Sequence, residues 1–275
     1  MRFAFVTCVQ LGLSCMEAIY EVGGKLDLII TLEDDMEQGK SGRIYVDDFA
    51  KKHGIPVAKV RNINRPEALE MLREARIDWL FIIGWSQIAK DELLSIPQQG
   101  VLGMHPTLLP VGRGRAAIPW AILKGLDRTG VTMFKLDSGV DTGPLLAQKE
   151  IALDDTIDAA ALYRQVDRAH VELMREAFPL LEAGALELKE QDESLASEWP
   201  GRTPEDGRID LSGSVKDAER LVRAVTRPYP GAFVDIDDNR VIVWRAEIVD
   251  ATYDGPDRVL RFPDGRLRCL ETEEV

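Results

Sequence analysis

Short apolar runs alternate with helix-like segments along the first eighty residues, and this alternation constrains the fold more than any other feature. Residues 2–8 and 26–31 are apolar runs of strand length, and residues 11–22 between them carry apolar side chains near helical spacing. Similar apolar runs follow at 55–60 and 79–83. Strands that alternate with helices form parallel sheets, so the sequence predicts an α/β fold with an open, mostly parallel sheet.

The last third of the chain has a different pattern. Residues 157–183 keep a three-and-four apolar spacing and predict a long helix. Residues 191–206 have no periodicity and contain two prolines, which is typical of a linker. A helix predicted at 215–225 precedes several short strands, which favour a small open β-barrel. We therefore expect a large domain at 1–190, a linker at 191–206 and a small, OB-like helix-plus-β domain at 207–275.

Charge and composition limit the compartment and the partners. The chain has a formal net charge of −13, and residues 200–275 hold 12 Lys and Arg against 16 Asp and Glu, a net charge of −4. Because nucleic-acid binding depends on basic surfaces, we expect no nucleic-acid partner. No apolar run reaches about 18 residues, so we expect no membrane contact. Cys8, Cys15 and Cys269 lack metal-ligand spacing and indicate reduced thiols in a cytoplasmic protein without a metal site.

The stretch from Val101 to Leu146 is the most informative about chemistry. An apolar run ends at His105, and Pro106 holds this histidine in an extended conformation at the predicted end of a strand. An imidazole at the rim of a sheet is well placed for proton transfer. Asp137 and Asp141 follow the next predicted strand in a glycine-rich turn, a pattern that indicates a ligand-contacting loop.

The order and spacing of these motifs resemble the folate-dependent formyltransferases. The chain reads His-Pro-Thr-Leu-Leu-Pro at 105–110, Arg-Gly at 113–114, Thr-Gly-Val-Thr at 129–132 and Gly-Val-Asp-Thr-Gly-Pro at 139–144. The family includes methionyl-tRNA formyltransferase, glycinamide ribonucleotide transformylase and the sugar N-formyltransferases. Motifs near the C-terminus, such as Pro-Tyr-Pro-Gly-Ala-Phe at 228–233, are similar to the C-terminal domain of the tRNA and sugar enzymes. The resemblance covers nearly the whole chain.

The resemblance implies a Rossmann-like formyltransferase fold and an enzyme that transfers a formyl group from 10-formyltetrahydrofolate to a primary amine. In such acyl transfer an amine attacks the formyl carbon, an oxyanion develops, and a proton passes from the amine to the folate leaving group. His105 would donate to the oxyanion or relay the proton, and Asp141 would hold the imidazole in place. These two residues can meet only if their strands are neighbours in the sheet.

The resemblance also implies the ligand contacts. We expect folate contacts in two loops and beside His105, at Trp85, Ser86, Gln87, Leu109, Asp137, Ser138 and Val140. We expect the amine substrate at Thr107, Arg113 and Gly114. Trp85 is equally compatible with a core residue, and Arg113 and Arg43 are equally compatible with solvated surface arginines.

Gly103 departs from the family pattern, because members usually read Asn-x-His where this chain reads Gly103-Met104-His105. The loss of one oxyanion donor costs about 2.7–4 kcal/mol of transition-state stabilisation. Three explanations are open. Another group fills the role, such as Ser86, Gln87, a water or the Gly103 amide; the enzyme is slow or inactive; or the pocket runs a related transfer. We favour the first explanation, with Gln87 as the donor.

The amine acceptor is the least determined part of the interpretation. Residues 34–45 lack the longer, basic, proline-rich insertion that the tRNA enzymes usually carry here, and the purine enzyme has no second domain of this kind. The resemblance therefore favours a nucleotide-linked amino sugar. Methionyl-tRNA, siderophore amines and peptide amines are alternatives. A catalytically impaired folate or sugar-nucleotide binding protein is an alternative of a different class, and a homodimer through the small domain is a further interpretation.

Overall fold

The structure is a computed structural model that describes residues 1–39, 42–236, 239–250 and 252–275. The strands of its first 152 residues are β1 (Phe3–Val6), β2 (Leu28–Leu32), β3 (Val57–Val60), β4 (Trp79–Ile82), β5 (Gly100–His105), β6 (Arg113–Gly114), β7 (Arg128–Lys135) and β8 (Leu145–Ala152). All of these except β6 form one sheet in the order β3-β2-β1-β4-β5-β7-β8.

The main sheet is mostly parallel, as the sequence predicts. The pairs β1–β2, β2–β3, β1–β4 and β4–β5 are parallel, and β5 pairs with β7 in antiparallel register. Strand order departs from chain order at β1, where β2 and β4 lie on its two sides. The predicted fold class is confirmed.

Helices cover both faces of this sheet. They are α1 (Gln10–Glu21), α2 (Asp47–His53), α3 (Pro66–Ala75), α4 (Asp91–Leu94) and α6 (Ala159–Glu182); a further helix, α5 (Ala117–Leu123), belongs to the second compact unit described below. Successive residues of β1 point to opposite faces, so that Phe3 packs in one core cluster and Ala4 in another. The first cluster contains buried residues of α1, α2 and α6, and the second contains residues of α3 and α4. Both faces of the sheet are thus buried.

The C-terminal part contains β9 (Glu198–Trp199), α7 (Val215–Val225), β10 (Ala232–Ile236), β11 (Asn239–Val249), β12 (Val259–Phe262) and β13 (Gly265–Glu274). The last four strands form an antiparallel sheet in the order β10-β11-β13-β12. The register shifts near Arg245, where β11 pairs with β13. Such shifts bend a strand and increase its twist, which gives the open, curled sheet that the sequence predicts here.

The chain forms two compact units. The first comprises residues 1–113, 130–150 and 167–197, and the second comprises residues 114–129, 151–166 and 198–275. The predicted boundaries at 190 and 207 stay a prediction. The segment predicted as a linker has local structure of its own, because it contains a 3-10 turn at Glu193–Leu195 and the strand β9. None of the helices in the described part of the chain combines the length and the apolar content that a membrane span needs.

Candidate active site

His105 ends β5 and is buried, with 8% of the residue exposed. Its Nε2 lies 2.8 Å from the carbonyl oxygen of Gly112. A carbonyl oxygen only accepts hydrogen bonds, so Nε2 is the donor. Its Nδ1 lies 3.5 Å from Oδ2 of Asp141, which is an ion-pair distance and longer than an ordinary hydrogen bond. The structure therefore brings together the two side chains that the sequence predicts to cooperate, and each ring nitrogen faces an acceptor.

A loop of residues 136–144, which we name the return loop, brings Asp141 to His105. Because β5 and β7 are antiparallel, His105 lies opposite Thr132 and Leu102 lies opposite Lys135. The chain therefore leaves β7 roughly 10 Å from His105 and must turn back. Asp141 has a φ of 55°, a left-handed conformation that aspartate adopts more readily than most residues. The two strands are neighbours, as expected, but the loop makes the contact.

Side chains at both ends of the return loop fix its shape. Oδ1 of Asp137 accepts hydrogen bonds from the amide two residues further on, at 3.0 Å, and from the hydroxyl of Thr142, at 2.7 Å. Nε2 of Gln191 donates to the carbonyl oxygens of Asp141 and Gly143, at 2.8 and 2.7 Å. The carboxylate of Asp137, a predicted folate contact, thus has a first role in shaping the loop.

Residues 105–113, which we name the anchor segment, are held by hydrogen bonds to the buried hydroxyl of Thr132 and to the exposed side chain of Gln148. The hydroxyl of Thr132 accepts from the amide of Leu109 and from Nε2 of Gln148, at 3.0 and 2.9 Å, and donates to the carbonyl of Thr107, at 2.7 Å. Gln148 also donates to the carbonyl of Leu109 at 2.8 Å. The hydroxyl of Thr107 is buried and has no hydrogen-bond partner among the described residues. It is free to bond to a bound ligand.

The side chain of Leu136 fills the space beside Gly103. A Cβ built on Gly103 would lie 2.8 Å from Cδ2 and 3.4 Å from Cγ of Leu136. Carbon atoms pack at about 3.5–4.0 Å, so a side chain at position 103 would require Leu136 to move. The residue that departs from the family pattern therefore has a packing counterpart at the start of the return loop.

The loop after β4 holds two predicted folate contacts with different environments. The amide group of Gln87 accepts from the backbone amide of Ile63 at 3.0 Å and donates to the carbonyl of Arg61 at 2.8 Å. These bonds give Gln87 a structural role, and its role as the oxyanion donor stays a prediction. Nε1 of Trp85 is buried without a partner in the described part of the chain. It is therefore a better-placed donor for a ligand than Gln87.

The other predicted folate contacts differ in their exposure to solvent. Ser86, Ser138 and Val140 are exposed, the last with 56% of the residue accessible. Leu109 is buried in the anchor segment. Exposed residues on loops contact a ligand at little cost in desolvation, whereas Leu109 would act through its backbone or by packing. The folate role of all four residues stays a prediction.

Arg113 is neither a solvated surface residue nor open to a ligand. It is 4% exposed, and its guanidinium donates to Oε1 of Gln191 and to both carboxylate oxygens of Glu193. The predicted contact with substrate is replaced here by an internal ion pair that holds residues 191–193. Gly114 has a φ of 105°, and a Cβ there would lie 2.5 Å from the carbonyl oxygen of Trp199. Gly114 is thus needed for the close approach of β6 and β9.

The guanidinium of Arg43 also forms hydrogen bonds within the protein. Its guanidinium donates to the hydroxyl of Thr31 and to the carbonyl oxygen of Leu32, at 2.9 and 2.6 Å. Only 3% of the side chain is exposed, so the interpretation as a solvated arginine is wrong. Its remaining Nε has no partner within the residues described.

Sequence reasoning missed Thr132, Leu136, Gln148 and Gln191. Thr132 and Gln148 are polar residues within predominantly apolar strands; Thr132 is buried, and buried polar residues usually have hydrogen-bond partners. That signal was present in the sequence. Nothing in the sequence placed Gln191 beside the return loop, since it lies 48 residues from Gly143.

Comparison with known proteins decides the family. Residues 21–178 match the model of the formyl transferase family, and residues 202–273 match that of the formyl transferase C-terminal domain. The chain belongs to the formyl transferase family. The resemblance stated from the sequence is confirmed.

Solved structures share the fold of this formyltransferase. A variant of HypX from Aquifex aeolicus has a TM-score of 0.73 at 19% identity and covers 100% of this chain, which spans only 44% of HypX. An N-formyltransferase from Helicobacter canadensis, in complex with folinic acid and dTDP-3-aminofucose, has a TM-score of 0.73 at 15% identity, with 99% and 100% of the two chains covered. Methionyl-tRNA formyltransferase from Clostridium thermocellum has a TM-score of 0.64 at 15% identity, with 100% and 99% covered. At these identities the likeness shows the fold.

Proposed function

We propose that this formyltransferase moves the formyl group of 10-formyltetrahydrofolate to the primary amine of a nucleotide-linked amino sugar. The observation that carries the proposal is the approach of Nδ1 of His105 to the carboxylate of Asp141, 3.5 Å apart at the end of β5. An imidazole oriented by a carboxylate is suited to proton transfer during acyl transfer.

The reaction forms one carbon–nitrogen bond and breaks another. The acceptor amine attacks the formyl carbon, and the bond between that carbon and N10 of the folate then breaks. Nε2–H of His105 donates to the oxygen of the formyl group, while the carboxylate of Asp141 accepts the proton that the amine loses and returns it to N10. The products are the N-formylated acceptor and tetrahydrofolate, so no further reactant is needed.

The oxyanion needs a donor other than a side chain at position 103. Nε2–H of His105 points at the carbonyl of Gly112, which is a neutral acceptor. A charged oxyanion is the stronger acceptor, because charge-assisted hydrogen bonds are about twice as strong as neutral ones. We infer that the formyl oxygen replaces Gly112 at Nε2. Trp85 and Thr107, with their buried unpartnered polar atoms, fit the remaining polar groups of the folate.

Two observations support the choice of substrates. The Helicobacter canadensis N-formyltransferase was solved with folinic acid and dTDP-3-aminofucose, and HypX was solved with tetrahydrofolic acid. The net charge of −13 opposes binding of a large polyanion such as tRNA, because its affinity comes from basic surfaces. The absence of a nucleic-acid partner, the cytoplasmic location and the homodimer remain predictions.

The test is formyl transfer by the purified chain. The chain is incubated with 10-formyltetrahydrofolate and, in parallel, with a dTDP-linked amino sugar, with methionyl-tRNA and with a simple primary amine. Mass spectrometry then detects the gain of one formyl unit. Transfer to the amino sugar that is lost in His105→Asn and kept in His53→Asn supports the proposal. Tight folate binding without transfer to any amine would establish the binding protein instead.

A further inference from the structure

Cationic and aromatic side chains form a cluster in the second compact unit. The cluster, which we name the arginine–tryptophan patch, consists of Arg115, Trp120, Lys124, Trp199 and Arg202. The guanidinium of Arg202 lies 5.1 Å, and the ammonium of Lys124 5.6 Å, from the ring centre of Trp120. Lys124 also lies 6.0 Å from the ring of Trp199. These are cation–π distances.

The cations of this patch have no carboxylate partner within 4 Å in the described part of the chain. The charge of Asp206 acts on Arg202, but the carboxylate of Asp206 accepts from the amide and hydroxyl of Thr203. Within the described residues, Arg202 donates to the carbonyl oxygen of Asp206, at 2.6 Å. Partial burial lowers the pKa of Arg202, while the charge of Asp206 opposes that shift. A partly buried cation without an ion-pair partner is suited to bind an anion.

A pocket opens beside Arg202. Its volume is about 120 Å³, and its walls include Pro119, Val225, Tyr229 and Pro230. These walls are largely apolar, and the phenol of Tyr229 is sufficiently buried that its pKa is raised. A cavity of roughly 150 Å³ binds one benzene molecule, so a pocket of this volume accommodates about one six-membered ring.

We propose that the pocket and the arginine–tryptophan patch together form a binding site for an anion that carries one planar six-membered ring, such as a pyrimidine nucleotide or an aromatic carboxylate. The ring enters the apolar pocket, and the anionic group binds Arg202. Further negative charge extends toward Arg115 and Lys124, which are exposed. The site is distinct from the contact between His105 and Asp141, because every residue named in it belongs to the second unit.

A polymeric nucleic acid fits these features less well than a small anion. Single-stranded nucleic acids bind to successive aromatic faces along a basic groove. Here one pocket takes one ring, and cations already lie against Trp120 and Trp199. The overall charge of −13 also disfavours a long polyanion.

Calorimetric titration of the full chain tests the proposal without any assay of formyl transfer. The probes are uridine 5′-monophosphate, benzoate, uridine, inorganic phosphate and a ten-residue oligouridylate. We expect saturable binding of uridine 5′-monophosphate or benzoate, and weaker binding of uridine and phosphate, because each of these lacks one of the two groups. The ring-bearing anion with the higher affinity shows whether the ligand is a nucleotide or an aromatic carboxylate.

Two variants and a matched control locate the binding. Arg202→Gln removes the cation and is expected to weaken binding about 10- to 100-fold, as for loss of a hydrogen bond to a charged group. Val225→Leu fills the pocket and is expected to abolish ring binding while phosphate affinity stays unchanged. Arg208→Gln is the control, since Arg208 pairs with Asp235 and Glu205 and does not line the pocket. Thermal unfolding confirms that each variant is folded.

Four results would overturn the proposal. The first is that neither ring-bearing anion binds at about 10 mM, roughly ten times a millimolar dissociation constant. The second is an equal loss of affinity in Arg202→Gln and Arg208→Gln, and the third is phosphate binding as tightly as uridine 5′-monophosphate. The fourth is oligouridylate binding at a stoichiometry of several nucleotides per chain. Failure here leaves the formyl-transfer proposal intact, and failure of formyl transfer leaves this site intact.

Discussion

The anchor segment (105–113) and the return loop (136–144) meet at one ion pair but are stabilised in different ways. The anchor segment is tied to the sheet by buried hydrogen bonds through Thr132 and by partly buried ones through Gln148. The return loop is tied by the solvent-accessible bond between Thr142 and Asp137 and by a single glutamine from a distant part of the chain. A buried polar network resists local opening more than exposed bonds do. We therefore expect His105 to be fixed and Asp141 to be the more mobile partner.

The largest expected effect tests whether the two segments cooperate at all. His105→Asn is expected to lower the rate of formyl transfer about 10²- to 10⁴-fold, the usual contribution of a general acid–base group. Asp141→Asn keeps the left-handed backbone conformation but removes the charge, so it is expected to lower the rate by a similar order. In the double variant the losses should be much less than multiplicative. Independent, multiplicative losses in steady-state kinetics would show that the two residues do not act as a pair.

The second prediction compares the two threonine hydroxyl groups that stabilise the anchor segment and the return loop. Thr132→Val removes the hydroxyl that serves Leu109, Thr107 and Gln148, and leaves buried backbone groups unpaired. We expect the free energy of unfolding to fall by about 2–4 kcal/mol. The matched change Thr142→Val in the return loop breaks one accessible bond and should cost less than about 1 kcal/mol. Urea denaturation measures both, and equal losses would refute the proposed difference between the segments.

A third prediction concerns the packing between β5 and the start of the return loop. Gly103→Asn forces a side chain against Leu136 and is expected to destabilise the protein by about 1–3 kcal/mol. Leu136→Ala opens the space, so the double variant should be more stable than the sum of the single effects by about 1 kcal/mol or more. Strict additivity in denaturation experiments would mean that Leu136 does not exclude a side chain at position 103.

A smaller effect distinguishes a structural role of Gln87, in the loop after β4, from a catalytic one. Gln87→Ala removes two hydrogen bonds to the backbone and should lower the free energy of unfolding by about 1–2 kcal/mol. The rate of formyl transfer should change less than about threefold, because both ends of the Gln87 amide group already bond to the backbone. A hundredfold loss of rate at unchanged stability would restore Gln87 as the oxyanion donor.

The smallest effect concerns acid sensitivity beside the return loop. The hydrogen bond and charge of Arg113 lower the pKa of Glu193 below its ordinary value. A lowered pKa in the folded state stabilises the protein above the unfolded carboxyl value of about 4.3, and this contribution is lost as the pH falls through the folded value. Glu193→Gln should therefore be less stable than the natural protein at pH 7, with the difference shrinking below about pH 4. A difference that is constant from pH 3 to pH 7 would contradict the ion pair.

Most of the fold was predictable from local sequence patterns, whereas the internal contacts of Arg113 and Gln87 were not. The apolar run that becomes β5 and the proline after His105 predict the end of the strand correctly. The charge and flexibility around Arg113 suggested an exposed residue, but Glu193 and Gln191 bury it from about 80 residues away along the chain. The same failure explains Gln87, whose partners lie in the neighbouring loop after β3.

The sequence by itself determined the alternation of strands and helices, the placement of His105 at a strand end and the presence of Asp141 in a turn, because these depend on residues close together in the chain. Only the tertiary structure decided that β7 runs antiparallel to β5, that the loop returns to His105, and that Leu136 fills the space at Gly103. Such contacts arise from packing between segments distant in sequence, and that packing leaves no local pattern in the chain.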